Sequence, residues 1–588
     1  MSGRRKLAAL GLGLTAAALL PLVVRDAFFL HVMITVFFFG ALAQAWNLIG
    51  GYAGQISFGH AVFFGLGGYA GAVLLDHYGI TPWIGMWVGA AVSVLVSVLI
   101  GFPTFHLRRH FFALATMALG EIIRILFLNW PYVGGALGIY YPLQYRNRFG
   151  YLMWDRKAPY YLTALTLLVL ATALVAVVDR ARVGRYLNAI DQDEGTAEML
   201  GIPARKYKMY AMGLSAVVAS LCGTIYASYV LYIDPYVVMG GQVSLFLVVV
   251  ALIGGRGTVW GPVLGAVVIV FLNEYTRYWL GGVGRGLDFV IFGALVMLVS
   301  IKEPRGLVGI LDRFRREKVA PAPAVPQAAG AAIVDPLPPR EIGEPVLEVT
   351  TVVKRFGGVQ ALQGATLEVR RGEIFGLIGP NGAGKSTLFD CITGVQRPDG
   401  GSVLLRGVPV FGRSTHAVAW VGISRTFQNM RLFPGMTAWE NLMCGQEHRG
   451  ESLWSATVSA HSHRWREEGE ALLALFGLGH IRDLPASNLS YGQQKLLSIA
   501  TAALRKPAVV LLDEPAAGVN PRLILELGRH IRELNARGIT FVIIEHNMDM
   551  IMDLADRVAF MAEGRVVAVG PPEKIQRDAQ VLDLYYGR

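Results

Sequence analysis

The densest chemistry in the chain lies in Gly379-Pro-Asn-Gly-Ala-Gly-Lys-Ser386, which fits the spacing G-x-x-x-x-G-K-[ST]. Glycines at these places let successive backbone N–H groups turn inward on phosphate oxygens. Lys385 then reaches the outer phosphates, and Ser386 can offer its hydroxyl to Mg²⁺. The expected cradle comprises Gly379, Pro380, Asn381, Gly382, Ala383, Gly384, Lys385, Ser386 and Thr387. Further candidates follow in order: Gln428, then Leu489-Ser-Tyr-Gly-Gln493, then Val509-Val-Leu-Leu-Asp-Glu-Pro515, then His546. Asp513, at the end of an apolar run, can hold Mg²⁺ through water, and Glu514 can take a proton from an attacking water. Gln428 and His546 can sense a terminal phosphate. Taken singly, Gln428 reads as a surface glutamine, His546 as a satisfied histidine and Asp513-Glu514 as a helix cap. Their order behind the cradle points to phosphoryl transfer to water.

The elements that must position these groups read as α/β. Strand-like runs at 346–349, 366–369, 373–378, 509–512, 539–544 and 558–561 alternate with helical runs at 385–393, 491–504 and 521–536. The cradle falls between a strand and a helix, as its chemistry requires.

The first 300 residues differ. The chain of 588 residues is 54% hydrophobic and 16% charged with a positive mean hydropathy, and the apolar excess lies in this half. Ten apolar segments occur, at 7–24, 28–49, 58–75, 82–102, 111–130, 160–178, 209–230, 242–255, 261–272 and 287–301. The first, behind Arg4, Arg5 and Lys6, reads as a retained membrane helix in preference to a signal peptide. The last three are too short to span untilted, so eight to ten membrane helices are expected. With the N-terminus inside, the Lys/Arg-rich stretches 106–110, 179–208 and 302–318 fall on the cytoplasmic side, and 131–159 is an exception. The net charge of +11 thus reads as membrane topology and not as a nucleic-acid surface. Cys222, Cys391 and Cys444 form no C-x-x-C pair, so neither a disulfide framework nor a zinc site is indicated.

Two features of the membrane half could line a path. The glycine-rich break at 50–60 holds Gln55, Ser57 and His60, and a half-helix starting near Ser57 would aim its N-terminal amides at an anion; a plain loop is the alternative. Glu121 and Arg124 share a helical face within the span, as a structural ion pair or as a path lining. Residues 186–203, with the acids Asp191, Asp193 and Glu194, suggest one or two short amphipathic helices that dock on a cytoplasmic surface; a solvated connector is the alternative. Three domains are expected: a membrane domain at 1–310, an Ala/Pro-rich linker at 311–345 and an α/β ATPase domain at 346–588.

With these motifs in place, the chain resembles an ATP-binding cassette ATPase, Leu489-Ser-Tyr-Gly-Gln493 standing where that family has Leu-Ser-Gly-Gly-Gln. Arg425-Thr-Phe-Gln-Asn-Met-Arg-Leu-Phe433 and Pro515-Ala-Ala-Gly-Val-Asn-Pro521 are similar to the ATPases of branched-chain amino acid importers. Gly51-Tyr-Ala-Gly-Gln-Ile-Ser-Phe-Gly-His60, Gly120-Glu-Ile-Ile-Arg124 and Gly254-Gly-Arg-Gly-Thr-Val-Trp-Gly-Pro262 look like the permease of the same system. The resemblance implies a fused permease and ATPase with ATP and Mg²⁺ as cofactors. It implies head-to-tail cassettes in which Ser490, Gly492 and Gln493 meet the partner's nucleotide, Phe356 on adenine, and Ser386, Gln428 and Asp513 around the metal. It further implies a second permease/ATPase pair or a second copy, an external solute-binding protein, an amino-acid substrate and no nucleic acid. The location implied is the bacterial inner (plasma) membrane, multi-pass, with the N-terminus and ATPase cytoplasmic. Three departures stand out: Tyr491, Asn520 where many cassettes have Asp, and Gly134-Gly-Ala-Leu-Gly138 where the permeases commonly have Gly-Gly-Pro-Asn-Gly. A urea or short-amide importer is the alternative of the same family. An exporter fits less well for want of long cytoplasmic helical extensions, and a DNA-repair or translation cassette is opposed by the ten apolar segments.

Overall fold

The computed structural model describes residues 3–107, 109–142, 148–280, 287–303, 305–315, 342–426, 431–458 and 463–586. Two compact units emerge, one of Met1–Asp191 with Arg205–Val319, the other of Gln192–Ala204 with Ala320–Arg588. The short stretch Gln192–Ala204, expected inside the first domain, clusters with the second. Most of the linker predicted at 311–345 lies outside the described residues, as does Gln428.

The first unit is helical: α1 (Gly3–Val23), α2 (Ala27–Trp46), α3 (His60–Tyr78), α4 (Pro82–Thr104), α5 (Arg109–Leu128), α6 (Lys157–Arg180), α7 (Arg182–Gln192), α8 (Glu194–Met199, in the second unit), α9 (Ala204–Val230), α10 (Pro235–Met239), α11 (Gly241–Gly254), α12 (Gly261–Leu280), α13 (Leu287–Lys302) and α14 (Gly306–Arg315). A two-stranded ribbon pairs β1 (Ile139–Tyr140) with β2 (Tyr232–Ile233). Each of the ten apolar segments is helical. Among the described residues six helices are long and apolar enough to cross a membrane: Ala27–Tyr52, Pro82–Thr104, His110–Leu128, Lys157–Arg180, Ala204–Val230 and Pro235–Gly254. That is fewer than the eight to ten expected. Glycines 65, 67, 68 and 71 dilute α3, Asn273, Glu274 and Arg277 interrupt α12, and α13 has 16 residues. Two expected boundaries move as well, since α12 runs on to Leu280 and the segment expected from 242 begins at Pro235.

Small residues bring these helices together. A Cβ on Gly67 of α3 would lie 1.9 Å from the Ser220 carbonyl oxygen of α9, so only glycine allows that approach. The glycine-rich break is a buried clasp. Its first residues, Asn47–Tyr52, extend α2 as a π-helical turn. Asn47 accepts from Gly257 N (2.8 Å) and donates to Thr258 O (2.9 Å), Gln44 donates to Val259 O (2.7 Å), and Trp46 donates to Ser57 O (2.9 Å). Tyr52 donates to Asp179 (2.8 Å), and Gly54, with φ +65°, lies against Asp191.

In the second unit, β3 (Pro345–Phe356), β4 (Val359–Arg370), β6 (Gly400–Leu405) and β7 (Val408–Pro409) form an antiparallel sheet in the order β4-β3-β6-β7. The other sheet has the order β12-β11-β5-β10-β9-β8, from β5 (Ile374–Ile378), β8 (Ile423–Arg425), β9 (Val509–Asp513), β10 (Thr540–Ile544), β11 (Arg557–Ala562) and β12 (Arg565–Gly570). Pairing is parallel from β8 to β11, and β12 joins antiparallel. Strands β5, β9 and β10 are buried along their whole length, which is why they read as unbroken apolar runs. Strands β6, β7, β8 and β12 were not expected, being short or partly exposed.

His530, on the helix Pro521–Ala536, is 1% exposed and packs on Phe476 with ring centroids 4.6 Å apart and planes tilted by 32°. Burial pulls its pKa down to about 4. A histidine held neutral in the fold but free to protonate when unfolded withdraws stability as pH falls from 6.5 toward 4, by about 3 kcal/mol in full. His530→Phe should flatten that acid limb, measured as the pH dependence of the cassette's unfolding transition.

Candidate functional site

The cradle forms where β5 ends and the helix Lys385–Ile392 begins. Gly379, Gly382 and Gly384 take φ of +150°, +81° and +96°, and a Cβ on Gly384 would sit 2.5 Å from Ala361 O. The backbone therefore turns sharply enough to point amides into one hollow. No side chain caps the helix, so its first-turn amides and dipole remain for an anion. Lys385 is buried, and its Nζ donates to Gly379 O (2.8 Å) and Pro380 O (2.9 Å). Burial lowers its pKa while Glu514 and Asp513 oppose that shift. Asn381, Gly382 and Ser386 are exposed, and Phe356 at the end of β3 is 45% exposed, with Lys354 Nζ 5.3 Å from its ring centroid.

The carboxylates stand at the end of β9. Asp513 is buried, and Arg425 at the end of β8 donates to it at 3.0 Å while also pairing at 2.5 Å with Asp390 of the cradle helix. Burial raises the Asp513 pKa, and Arg425 counteracts it. Asp513 Oδ1 is buried without a hydrogen-bond partner, an unmet acceptor suited to a hydrated divalent cation. A cavity of about 470 Å³ opens beside Ser386 and Asp513, bordered by Asp390, Arg425 and Arg431. Glu514 adopts φ +49°, an uncommon conformation for a side-chain-bearing residue, and its Oε1 lies 3.2 Å from His546 Nε2. Glu545 holds the pair in register, accepting from Ala516 N at 2.5 Å on one side and from His546 N (2.8 Å) and Asn547 N (3.0 Å) on the other. Lys495 donates to Glu514 O at 3.1 Å.

Ser490 caps the helix Tyr491–Ala503 in a capping box with Gln493, which puts Ser490, Gly492 and Gln493 at an open helix N-terminus. Tyr491 OH donates to Ala517 O (3.1 Å), tying this helix to the loop after Glu514. Asn520 accepts from Leu523 N (2.9 Å) and caps the next helix, a task Asn performs as well as Asp.

The stretch Gln192–Ala204 packs on the same unit. Asp193 caps α8 by accepting from Thr196 N (2.7 Å), and Glu194 occupies the first turn. Several residues of this stretch meet the cassette. Gln192 accepts from Gly435 N (2.7 Å), Trp420 donates to Gly201 O (2.8 Å), and Glu198 lies 3.9 Å from His416. Thr196, Met199 and Leu200 border a small gap with Arg425, Thr426 and Leu432, directly before and after the segment that holds Gln428.

In the membrane unit, α3 begins at His60 and not near Ser57. The amides expected to meet an anion are taken by hydroxyls: Gly59 N by Ser57 (3.3 Å), Phe58 N by Thr116 (3.2 Å) and Ala61 N by Ser244 (3.0 Å). Gln55, Ser57 and His60 are buried, with His60 Nε2 2.7 Å from Ser215 Oγ. Glu121 and Arg124 form an ion pair, with Arg124 Nε donating to Glu121 Oε2 at 2.9 Å. Sequence reasoning gave no role to Arg425, Glu545 or Lys495. Arg425 stands in a quoted motif, and Glu545 directly precedes His546, but nothing in their spacing marks them as buried partners.

A glycine-rich phosphate cradle, a carboxylate pair after β9 and a capped Ser490 helix, in one chain with membrane-length helices, define an ABC transporter. The profile of the branched-chain amino acid transport system permease component matches residues 28–300, and that of the ABC transporter ATPase matches 362–517. The high-affinity branched-chain amino acid transport ATP-binding protein LivG of Escherichia coli (strain K12) is 40% identical over 254 residues, 42% of this chain and 99% of its own length. BraF of Pseudomonas aeruginosa, another such ATP-binding protein, is 37% identical over 254 residues, again 42% and 99%. The probable LivG protein of Methanocaldococcus jannaschii is 35% identical over 250 residues, 41% and 97%. The chain belongs to this ABC transporter family and joins its permease and ATP-binding components in a single multi-pass membrane protein. Its cassette binds nucleotide, and its hydrolysis of ATP is coupled to transport.

Arg425→Ala should leave the buried Asp513 without its counter-charge, costing about 3–5 kcal/mol. Arg425→Lys should recover only part of this, because an ammonium cannot serve two carboxylates with a planar fork. Thermal unfolding of the three proteins, followed by ATPase rates, checks both expectations.

Proposed function

We propose that this protein is one half of an importer that draws branched-chain amino acids across the bacterial inner membrane at the expense of ATP. One observation carries the proposal: a permease and a cassette that each match the branched-chain amino acid transport system occur in one chain. The N-terminus and cassette face the cytoplasm, as the Lys/Arg distribution supports. A solute-binding protein delivers substrate outside, and a second permease/ATPase pair, or a second copy of this chain, completes the membrane path and the cassette dimer. The domain division is 1–310, 311–345 and 346–588, with Gln192–Ala204 borne on the cassette.

Gly379 to Thr387 hold the phosphates and Phe356 the adenine. Ser386, Asp513 and Gln428 hold Mg²⁺, which supplies charge neutralisation on the phosphates when bound. Glu514 takes the proton of the attacking water as its oxygen bonds to the terminal phosphorus and the bridging oxygen departs, while His546 orients Glu514. Ser490, Gly492 and Gln493 face the partner cassette's nucleotide. Residues 186–203 transmit closure to the membrane half, with Asp191 against Gly54, Asp193 capping α8 and Glu194 in the first turn of that helix.

Glu514→Gln should bind ATP normally yet hydrolyse it about 100- to 10,000-fold more slowly. Lys385→Ala should weaken nucleotide binding itself, and equilibrium binding beside steady-state ATPase separates the two. Nanodisc-embedded protein, assayed with neighbouring binding proteins and leucine, isoleucine, valine, phenylalanine or urea, tests the import reading. Stimulation by a branched-chain amino acid supports it, and stimulation by urea alone replaces it with the short-amide reading.

A further inference from the structure

A cavity of about 570 Å³ opens in the membrane unit among α2, α9, α11, α12 and α13, which is of ligand size. Its walls are graded along the helices. Polar residues line the end where α2 starts and where α9 and α12 finish: His31, Tyr229, Asn273, Glu274 and Arg277. Ring contacts fix the level of that end, since Phe28 meets Tyr275 and Tyr278 at 5.6 and 5.0 Å between centroids. About two turns further along α2, Phe39 packs on Phe246 at 4.8 Å, and Val249 and Val296 continue the apolar wall. Tyr275, Tyr278 and Trp279 are exposed at the end of α12, and amphipathic rings of this kind sit at the headgroup level of a bilayer. The polar end of the cavity therefore lies at headgroup depth and the apolar end among acyl chains. The charges at the polar end are not spent on each other. His31 and Tyr229 are, with Nδ1 2.6 Å from the hydroxyl, whereas Glu274 takes a hydrogen bond from its neighbour Asn273 at 3.3 Å. Glu274 is half-buried and Arg277 exposed. Among the described residues neither has an ion pair within 4.0 Å, although residues three apart on a helix are neighbours. An acid and a base left apart at the edge of hydrocarbon favour a ligand that brings both signs.

We propose that this cavity is a lipid site, selective for a phospholipid whose head carries a primary ammonium beside the phosphate, as phosphatidylethanolamine does. Arg277 holds the phosphate with its planar fork and Glu274 accepts from the ammonium, while an acyl chain runs down past Phe39 and Val249. The two-carbon bridge between phosphate and ammonium suits side chains whose Cβ atoms are about 5–6 Å apart, as at positions three apart on a helix. A phosphatidylglycerol head answers Arg277 but brings no cation to Glu274. A phosphatidylcholine head is cationic but has no N–H to donate to the carboxylate. Gly293 of α13 also borders the cavity, and a Cβ there would meet nothing within 4 Å, so the open space reaches that helix. The site does not depend on which solute the transporter carries.

The test equilibrates the full-length protein in detergent with equal amounts of phosphatidylethanolamine, phosphatidylglycerol and phosphatidylcholine, and counts the lipids that stay bound to each chain by native mass spectrometry. Wild-type protein should retain phosphatidylethanolamine about tenfold or more over the other two. Loss of one charged hydrogen bond in Glu274→Gln or Arg277→Gln should lower the affinity for it roughly 10- to 100-fold. Gly293→Leu fills the cavity while leaving both charges in place, and it should lower retention of all three lipids. Equal retention of the three lipids by the wild type overturns the inference, and this readout needs no variant to fold. So does a preference that survives unchanged in both charge variants, or retention unchanged in Gly293→Leu. Displacement of the lipid by an excess of leucine overturns it as well, since that makes the cavity part of the solute path.

Discussion

The guanidinium of Arg425 joins the parts of the cassette that must act together. It pairs with Asp390 on the cradle helix and with Asp513 at the end of β9, and it borders the gap next to Thr196 and Met199. A buried cation shared by two carboxylates ties the helix Lys385–Ile392 to the end of β9. Neither carboxylate can move without exposing an unpaired charge.

Glu545 imposes a comparable constraint on Glu514 and His546. One buried carboxylate accepts amides from both loops, that of Ala516 after Glu514 and those of His546 and Asn547. Glu514 is held in a left-handed conformation between them, with His546 in reach of its carboxylate. Such strain persists only where the surroundings over-determine it, and here five-residue parallel strands on either side supply that rigidity. Tyr491 adds a third tie, from the Ser490 helix to the same loop. A glycine at that position lacks the hydroxyl, so the departure from the usual pattern has a structural consequence.

The membrane unit is organised by the opposite economy: its polar groups are spent on one another. Asn47, Gln44, Trp46 and Tyr52 use their hydrogen bonds to lock the glycine-rich break against the turn at 257–259 and against Asp179. The amides at the start of α3 are consumed by Ser57, Thr116 and Ser244. A half-helix dipole reads in the sequence as an open anion site only while its neighbours are unknown. Glu121 stands apart from this economy, since α5 leaves it half uncovered.

What the sequence determined by itself were features whose chemistry is local. The cradle follows from glycine spacing, the central strands β5, β9 and β10 from unbroken apolar runs, and the helical state of the ten apolar segments from their length. Asp513 closes β9, Glu514 follows it and His546 stands two residues beyond β10, so their places at strand ends were legible. Tertiary structure decided whatever depends on partners distant in sequence. Arg425 meets Asp390 and Asp513 across 35 and 88 residues, and Gln192 meets Gly435 across 243. Only packing sets Asp191 against Gly54, leaves Asp193 as the cap of α8 and brings Gln192, Glu198 and Gly201 to Gly435, His416 and Trp420. The physical reason is the same throughout: periodicity and turn chemistry act over a few residues, whereas the pairing of a buried charge or amide is settled by whichever segment the fold brings against it.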